Sequence, residues 1–300
     1  MNQEDLWKRF YAVVGGEPQL YALKQIVTYL LNLIADPKAS SKDIARVVSS
    51  DPALSANVLK IVNSPIIGLR NKVSDLVLAI SLLGYNQIRD IALEISVSQA
   101  LNAKQNAQMM RLWKHSFYCG KISEIIAASL GRMAGEAFTM GLLHDIGKIL
   151  LAYANYDAFE TSLNNYRYQR GKVLHWQSEQ ATIGLTHAEI GGLACVRWQL
   201  PDLFYRVIWY HHVPPAGNSK SEEIYLSQVV HLADTLCWNL NHPSVNSVNP
   251  YSGKKPETLL SENLLAEVGL SKGRFQDVLT KVNESLKTTE LIFNFMKSSN

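Results

Sequence analysis

The sequence predicts an all-α protein, on three observations. Apolar residues recur at steps of three and four, no segment sustains the alternation of a half-buried strand, and short polar turns with helix-capping chemistry separate the apolar stripes. The first stripe, Leu20, Leu23, Val27, Leu30, Leu31 and Ile34, ends at Asp36-Pro37, because proline drives its predecessor out of helical conformation. Ser40 to Asp43 reads as the capped start of a short helix carrying Ile44, Val47 and Val48. Asp51-Pro52 sets a cap oxygen ahead of a proline at the first helical position, before Leu54, Val58, Ile61 and Val62. Ser74 caps a helix with Leu76, Val77, Ile80 and Leu83, and Gly84 suits the left-handed position that closes it. Apolar density falls around residues 102–106, which divides an N-terminal helical region, 1–103, from a second helical domain, 108–295. The second domain resumes with Trp113, Phe117, Ile122, Ile125 and Ile126 and continues through the mostly apolar run 137–151. A loop at 241–256, rich in Asn, Ser, Pro and Gly, precedes two last helices near 259–268 and 272–295.

Composition narrows the function classes. With 47% apolar and 18% charged residues over 300 positions, the chain has the material for a substantial core and too little charge for a tail protein. The net charge of +3 is spread without a run of one sign, so no nucleic-acid partner and no membrane-surface patch is expected. Cys119, Cys195 and Cys237 are odd in number and far apart, which argues against a disulfide framework and a zinc ribbon and fits a reducing cytoplasm. The N-terminus has no basic-then-apolar leader and no run approaches eighteen apolar residues, so neither secretion nor a membrane span is expected.

His144-Asp145 interrupts the apolar run Met140 to Leu151, where two titratable groups are costly to bury unless they pair, bind something or line a cavity. Alone, the dipeptide has a plain explanation as a buried histidine satisfied by its neighbour. The other histidines change the weighing: His115, His187 and the pair His211-His212 lie in apolar helical contexts, as does Asp234. Neutral imidazoles with carboxylates suit a divalent transition metal such as iron, manganese, zinc or nickel, and one aspartate can bridge two ions through its two oxygens.

The ordered set His115, His144-Asp145 and Asp234 resembles the metal signature of the HD phosphohydrolase superfamily, an all-α fold in which these four positions ligate one ion. His187, His211 and His212 match the additional ligands present where that superfamily holds two or three. From about residue 13 to 295 the chain is similar to the HDOD proteins, HD-related output domains of bacterial signalling. The residues that carry this likeness include Asp51-Pro52-Ala53-Leu54-Ser55, the stretch Val58 to Ser64 and Ala79 to Gly84. In the second half they are Trp113 with His115-Ser116, Gly141 to Lys148, the run His187 to Pro201 and Tyr210-His211-His212.

The resemblance implies a multi-helical HDOD fold with an HD-like core, one or two ions, and output through contact with a signalling partner protein. Its alternative is a metal-dependent phosphohydrolase acting on a nucleotide or phosphate ester. In that case Asp145 bridges the ions and Lys148, one turn after His144, meets a substrate phosphate; otherwise Lys148 is a snorkelling surface lysine. Relatives that cleave cyclic di-GMP follow their histidine pair with Glu and a Gly-Tyr-Pro signature, whereas this chain continues Val213-Pro214-Pro215-Ala216-Gly217, so that activity is not expected. His231, three residues before Asp234, reads as a satisfied core histidine, and His175 and His242, beside polar residues, read as solvated. The tryptophans, and Cys119 and Cys195, read as packing residues.

Overall fold

The computed structural model describes residues 3–14, 40, 43, 58–59, 61–65, 67–70, 73–74, 76–84, 107–170, 172–197, 200–215, 221–245 and 262–297. The expected helices over 20–34 and 44–48 and the Asp51-Pro52 start lie outside these residues, as do Trp198 and the side chain of Trp113. Among the described residues every regular element is a helix: α1 (Gln3–Val14), α2 (Leu76–Leu83), α3 (Ala107–Ser129), α4 (Ala134–Leu143), α5 (Ile146–Ala154) and α6 (Tyr156–Tyr168). They continue with α7 (His175–Thr182), α8 (His187–Arg197), α9 (Asp202–Tyr210), α10 (Glu222–Asn239), α11 (Glu262–Val268) and α12 (Lys272–Lys297).

The chain divides into two compact units, one of residues 1–20 and 105–282 and the other of 21–104 and 283–300. In the second unit, Val58, Ile61, Val62, Val73, Ala79, Ile80 and Leu83 are buried. Asn63 pins the turn between them. Its amide donates to the carbonyls of Leu59 and Val73 at 2.7 Å each, and its oxygen accepts from the Val73 N–H at 2.7 Å. Gly84, at φ 80°, closes α2 in the left-handed conformation its position calls for. Leu78 and Leu82, one turn apart on α2, are each 49% exposed.

The first unit is built on the hairpin of α3 and α4. Gly120 and Gly141 let the two helices approach closely: a Cβ on Gly141 would lie 2.8 Å from the Cys119 carbonyl oxygen and 2.9 Å from Gly120 Cα. Against this pair packs α10, with Leu226, Val229, Val230, Leu232, Ala233 and Leu236 buried. On the other side α5 crosses α8, which packs on α9, and α1 covers both α5 and α8. The apolar run 137–151 is not one helix. It breaks at His144 and at Asp145, whose φ of −97° and ψ of 12° place it between α4 and α5. The break turns both side chains into the middle of the unit, where each is 0% exposed.

Candidate metal centre

Five places in the first unit deliver the seven proposed ligands. His115 projects from α3, His144 and Asp145 from the α4–α5 break, His187 from the first residue of α8, His211 and His212 from just after α9, and Asp234 from α10. The structure brings all seven together, in two clusters that share Asp145. In the first, His115 Nε2 lies 3.3 Å from His144 Nε2, 3.6 Å from Asp145 Oδ2 and 3.1 Å from Asp234 Oδ1. His144 Nε2 lies 3.5 Å from Asp145 Oδ2 and 3.8 Å from Asp234 Oδ1. In the second, the other oxygen of Asp145, Oδ1, lies 3.1 Å from His187 Nε2 and 3.9 Å from His211 Nε2, while His212 Nε2 is 2.7 Å from His187 Nε2.

The rings are held from behind. His115 Nδ1 lies 2.7 Å from the His242 carbonyl, His144 Nδ1 2.7 Å from that of Gly141 and His211 Nδ1 2.7 Å from that of Ile208, so each donates outward. His187 Nδ1 donates to Glu179 Oε2 at 2.5 Å. With a proton fixed on Nδ1, Nε2 is the atom that each of these four rings turns inward, the nitrogen through which an unprotonated imidazole binds a metal.

Whether these residues fit an ion can be tested on their unmet polar atoms. Asp145 Oδ1 and His211 Nε2 are buried without a hydrogen-bond partner, although a buried acceptor left unsatisfied costs about 1–3 kcal/mol. Both are metal-donor atoms on the inner side of the clusters. Two donors each about 2.1 Å from one ion stand roughly 3.0–3.4 Å apart at octahedral to tetrahedral angles, close to most separations here. The residues fit, and the buried His/Asp groups form clusters able to hold a metal.

Electrostatics point the same way. Burial works against the Asp145 carboxylate, yet Lys148, His144 and His187 hold its pKa well below the usual range. Burial likewise opposes charge on Asp234, and the hydrogen bond from His115 holds it low. Burial, reinforced by neighbouring histidines, pushes His211 and His212 well down, so both are neutral donors. Burial opposes the charged form of His115 too, but its bond to Asp234 and the nearby negative groups push it up to about 9. Both carboxylates are thus held ionised, with the Lys148 ammonium beside one and His115 beside the other.

Lys148 is not a surface lysine. It is 3% exposed, and its ammonium donates to Asp145 Oδ2 at 2.7 Å and to Ser244 Oγ at 3.1 Å. His175 is not solvated either: it opens α7 and is 6% exposed, because packing against Phe159, Tyr166 and His187 buries it. His242 is half-buried, its ring 4.2 Å from that of Tyr118, and its carbonyl orients His115. His231 is half-buried with Nδ1 2.8 Å from the His211 carbonyl, which steadies the turn carrying the histidine pair. Glu179 and Ser244 escape the sequence reading. For Glu179 the available signal was a carboxylate one helical turn after His175; Ser244 lies in a loop and offered none.

Comparison with known proteins identifies the family. The profile of the HDOD domain matches residues 20–214. An uncharacterised protein of Treponema pallidum (strain Nichols) is 26% identical over 199 residues, 64% of this chain, and the chain spans only 38% of that relative's length. Among solved structures, an HDOD domain protein of Geobacter sulfurreducens superposes with a TM-score of 0.77 at 20% identity, covering 97% of this chain and 98% of its own. A protein of Marinobacter aquaeolei VT8, provisionally described as acting in signal transduction, gives 0.74 at 18% identity over 98% of this chain and 66% of that one. The fold is theirs, the profile covers well over half of the sequence, and the chain belongs to the HDOD domain family.

Proposed function

We propose that this chain is a signalling module whose HD-like domain, residues 108–295, holds two divalent transition-metal ions and hydrolyses a phosphate ester. The observation that carries the reading is Asp145, a single buried carboxylate with one oxygen in each of two histidine clusters. His115, His144, Asp145 and Asp234 would hold one ion, and Asp145, His187, His211 and His212 the other. Iron, manganese, nickel or zinc suits this mixture of imidazole and carboxylate. When bound, such a pair supplies a water of lowered pKa and neutralises charge on the phosphoryl oxygens. The chain's own contribution is to hold the ligand rings by their Nδ1 bonds, to exclude bulk water by burial, and to place the Lys148 ammonium against Asp145. No cyclic di-GMP activity is proposed, because the residues after His212 lack the signature of the relatives that cleave it. The cytoplasm of a bacterium is the setting this reading proposes, consistent with three buried free thiols.

A second reading keeps the ions but makes them structural, with output through protein contact alone. The half-exposed Leu78 and Leu82 in region 1–103 favour a partner surface there. Metal analysis of protein purified without added metal, followed by rates on a panel of phosphate esters for the wild type and Asp145→Asn, separates the two. Hydrolysis predicts about two ions per chain and a rate that Asp145→Asn lowers by orders of magnitude with the fold intact. Bound ions, no rate on any ester, and joint loss of metal and melting temperature in Asp145→Asn would establish the contact reading instead.

A further inference from the structure

A cavity of about 60 Å³ opens beside the second cluster, and its walls include Lys148, His187 and His212. Two further wall residues, His175 and Trp176, belong to neither cluster of proposed ligands and come from the first turn of α7. His175 is more than nine-tenths buried, and neither of its ring nitrogens has a hydrogen-bond partner; the indole Nε1 of Trp176 is also buried and unpartnered. His175 Nδ1 stands 3.5 Å from Glu179 Oε1, too far for a good hydrogen bond, so the ring remains available to a ligand.

Both rings are aligned with the proposed metal ligands. His175 lies over His187 with centroids 6.2 Å apart and planes at 21°, and Trp176 lies over His212 at 6.0 Å and 21°. Buried, unmet polar atoms at a helix N-terminus, beside a buried ammonium, describe a place for an anion. The carboxylates of Asp145, Asp234 and Glu179 oppose an anion while the clusters are metal-free. Two divalent ions would reverse that balance, which makes anion binding follow metal binding.

We propose that His175, Trp176 and Lys148 form an oxyanion subsite that receives the terminal phosphoryl oxygens of a small phosphate monoester. The inference rests on the two-metal reading and narrows its substrate class. A ring N–H of His175, the indole N–H and the ammonium are the donors, and the modest volume between Trp176, Tyr166 and Trp238 favours a single phosphoryl group over a dinucleotide.

The test uses the full chain, loaded with manganese and titrated calorimetrically with inorganic phosphate, and compares the wild type with His175→Leu and Trp176→Phe. Metal content and melting temperature are recorded for each. The expected result is phosphate binding only by the metal-loaded wild type, weakened about tenfold or more in His175→Leu and several-fold in Trp176→Phe, with metal content unchanged. Trp176→Phe removes only the N–H donor and keeps the ring, so it carries the test even if His175→Leu folds poorly. Variants that retain their ions and bind phosphate within about twofold of the wild type overturn the subsite. A wild type that takes up no metal overturns the two-metal reading. If it still binds phosphate in a His175-dependent way, the three donors suffice and the dependence on metal is overturned with that reading; if it binds none, both fall.

Discussion

A single oxygen of Glu179 serves His187 twice: Oε2 lies 2.5 Å from the ring Nδ1 and 2.8 Å from the backbone nitrogen. This buried carboxylate therefore fixes where α8 begins and which edge of the imidazole faces Asp145. Burial opposes its charge, but His187 and His175 hold its pKa down to about 2, so it is ionised at any working pH. Glu179→Gln preserves the shape and removes the charge. Affinity for an ion in the second cluster should fall about 10–100-fold while the first is little affected, as read by stepwise metal titration. Equal uptake at both positions would show that packing alone orients His187.

The metal-free protein should lose stability in acid in two stages. Burial, partly offset by Glu179, lowers His175 from 6.5 to about 4, so between those values the unfolded chain binds a proton that the native state declines. Stability then falls as pH drops from about 6.5 towards 4. Glu179, lowered from 4.5 to about 2, adds a contribution that is complete above 4.5 and lost below it. His115 runs the other way: raised to about 9, its contribution is complete below 6.5 and disappears as pH rises through 9. Denaturant titrations of chelator-treated protein across this range should peak near neutrality. His144, His211 and His212, lowered by burial, add to the same limb, so His175→Leu should make it shallower without abolishing it, and an unaltered limb would refute the assignment.

Lys148 compensates Asp145 in the absence of metal, through the 2.7 Å ion pair in a fully buried setting. Lys148→Met removes the largest compensating charge beside that carboxylate and should destabilise the metal-free protein by about 3–5 kcal/mol. Loading with metal should recover much of the loss, because divalent ions take over the neutralisation. Melting curves with and without metal check this, and a penalty of equal size in both states would show that Lys148 matters for packing only.

Gly147 permits the crossing of α5 and α8. A Cβ there would stand 1.9 Å from the His187 carbonyl oxygen and 2.8 Å from the Gly191 nitrogen, backbone atoms that no rotamer change can move. Gly147→Ala should cost more than about 4 kcal/mol or abolish soluble expression. Gly273→Ala, whose added carbon meets nothing within 4 Å, should be neutral or stabilising by up to about 1 kcal/mol. Comparable melting temperatures for the two variants would contradict the close crossing.

His144-Asp145 and Asp234 were legible as polar residues within apolar helical stretches, and it was the resemblance to the HD metal signature that joined them to His115, His187, His211 and His212. The break at 144–145 was not legible, since the surrounding residues are apolar on both sides and only the fold turns them apart. His175 and Glu179 were hidden for the opposite reason. The segment His175 to Thr182 carries no apolar stripe, and its burial comes from Phe159 and Tyr166 on a neighbouring helix, a tertiary effect that local pattern does not record.

The stretch after α10 touches the centre at two points. The carbonyl of His242 holds His115, and two residues later Ser244 takes a hydrogen bond from Lys148 through its hydroxyl and from Gln108 through its carbonyl. One short piece of backbone thus reports on a residue of the first cluster and on the counter-charge of the bridging carboxylate together. Thermodynamic reciprocity gives this a consequence for the proposed ions: a molecule that moves residues 242–244 so as to change metal affinity by some factor would have its own affinity changed by metal by the same factor. The backbone of residues 242–244 is thus the place where such a molecule would be felt by the proposed ligands and by Lys148 at once.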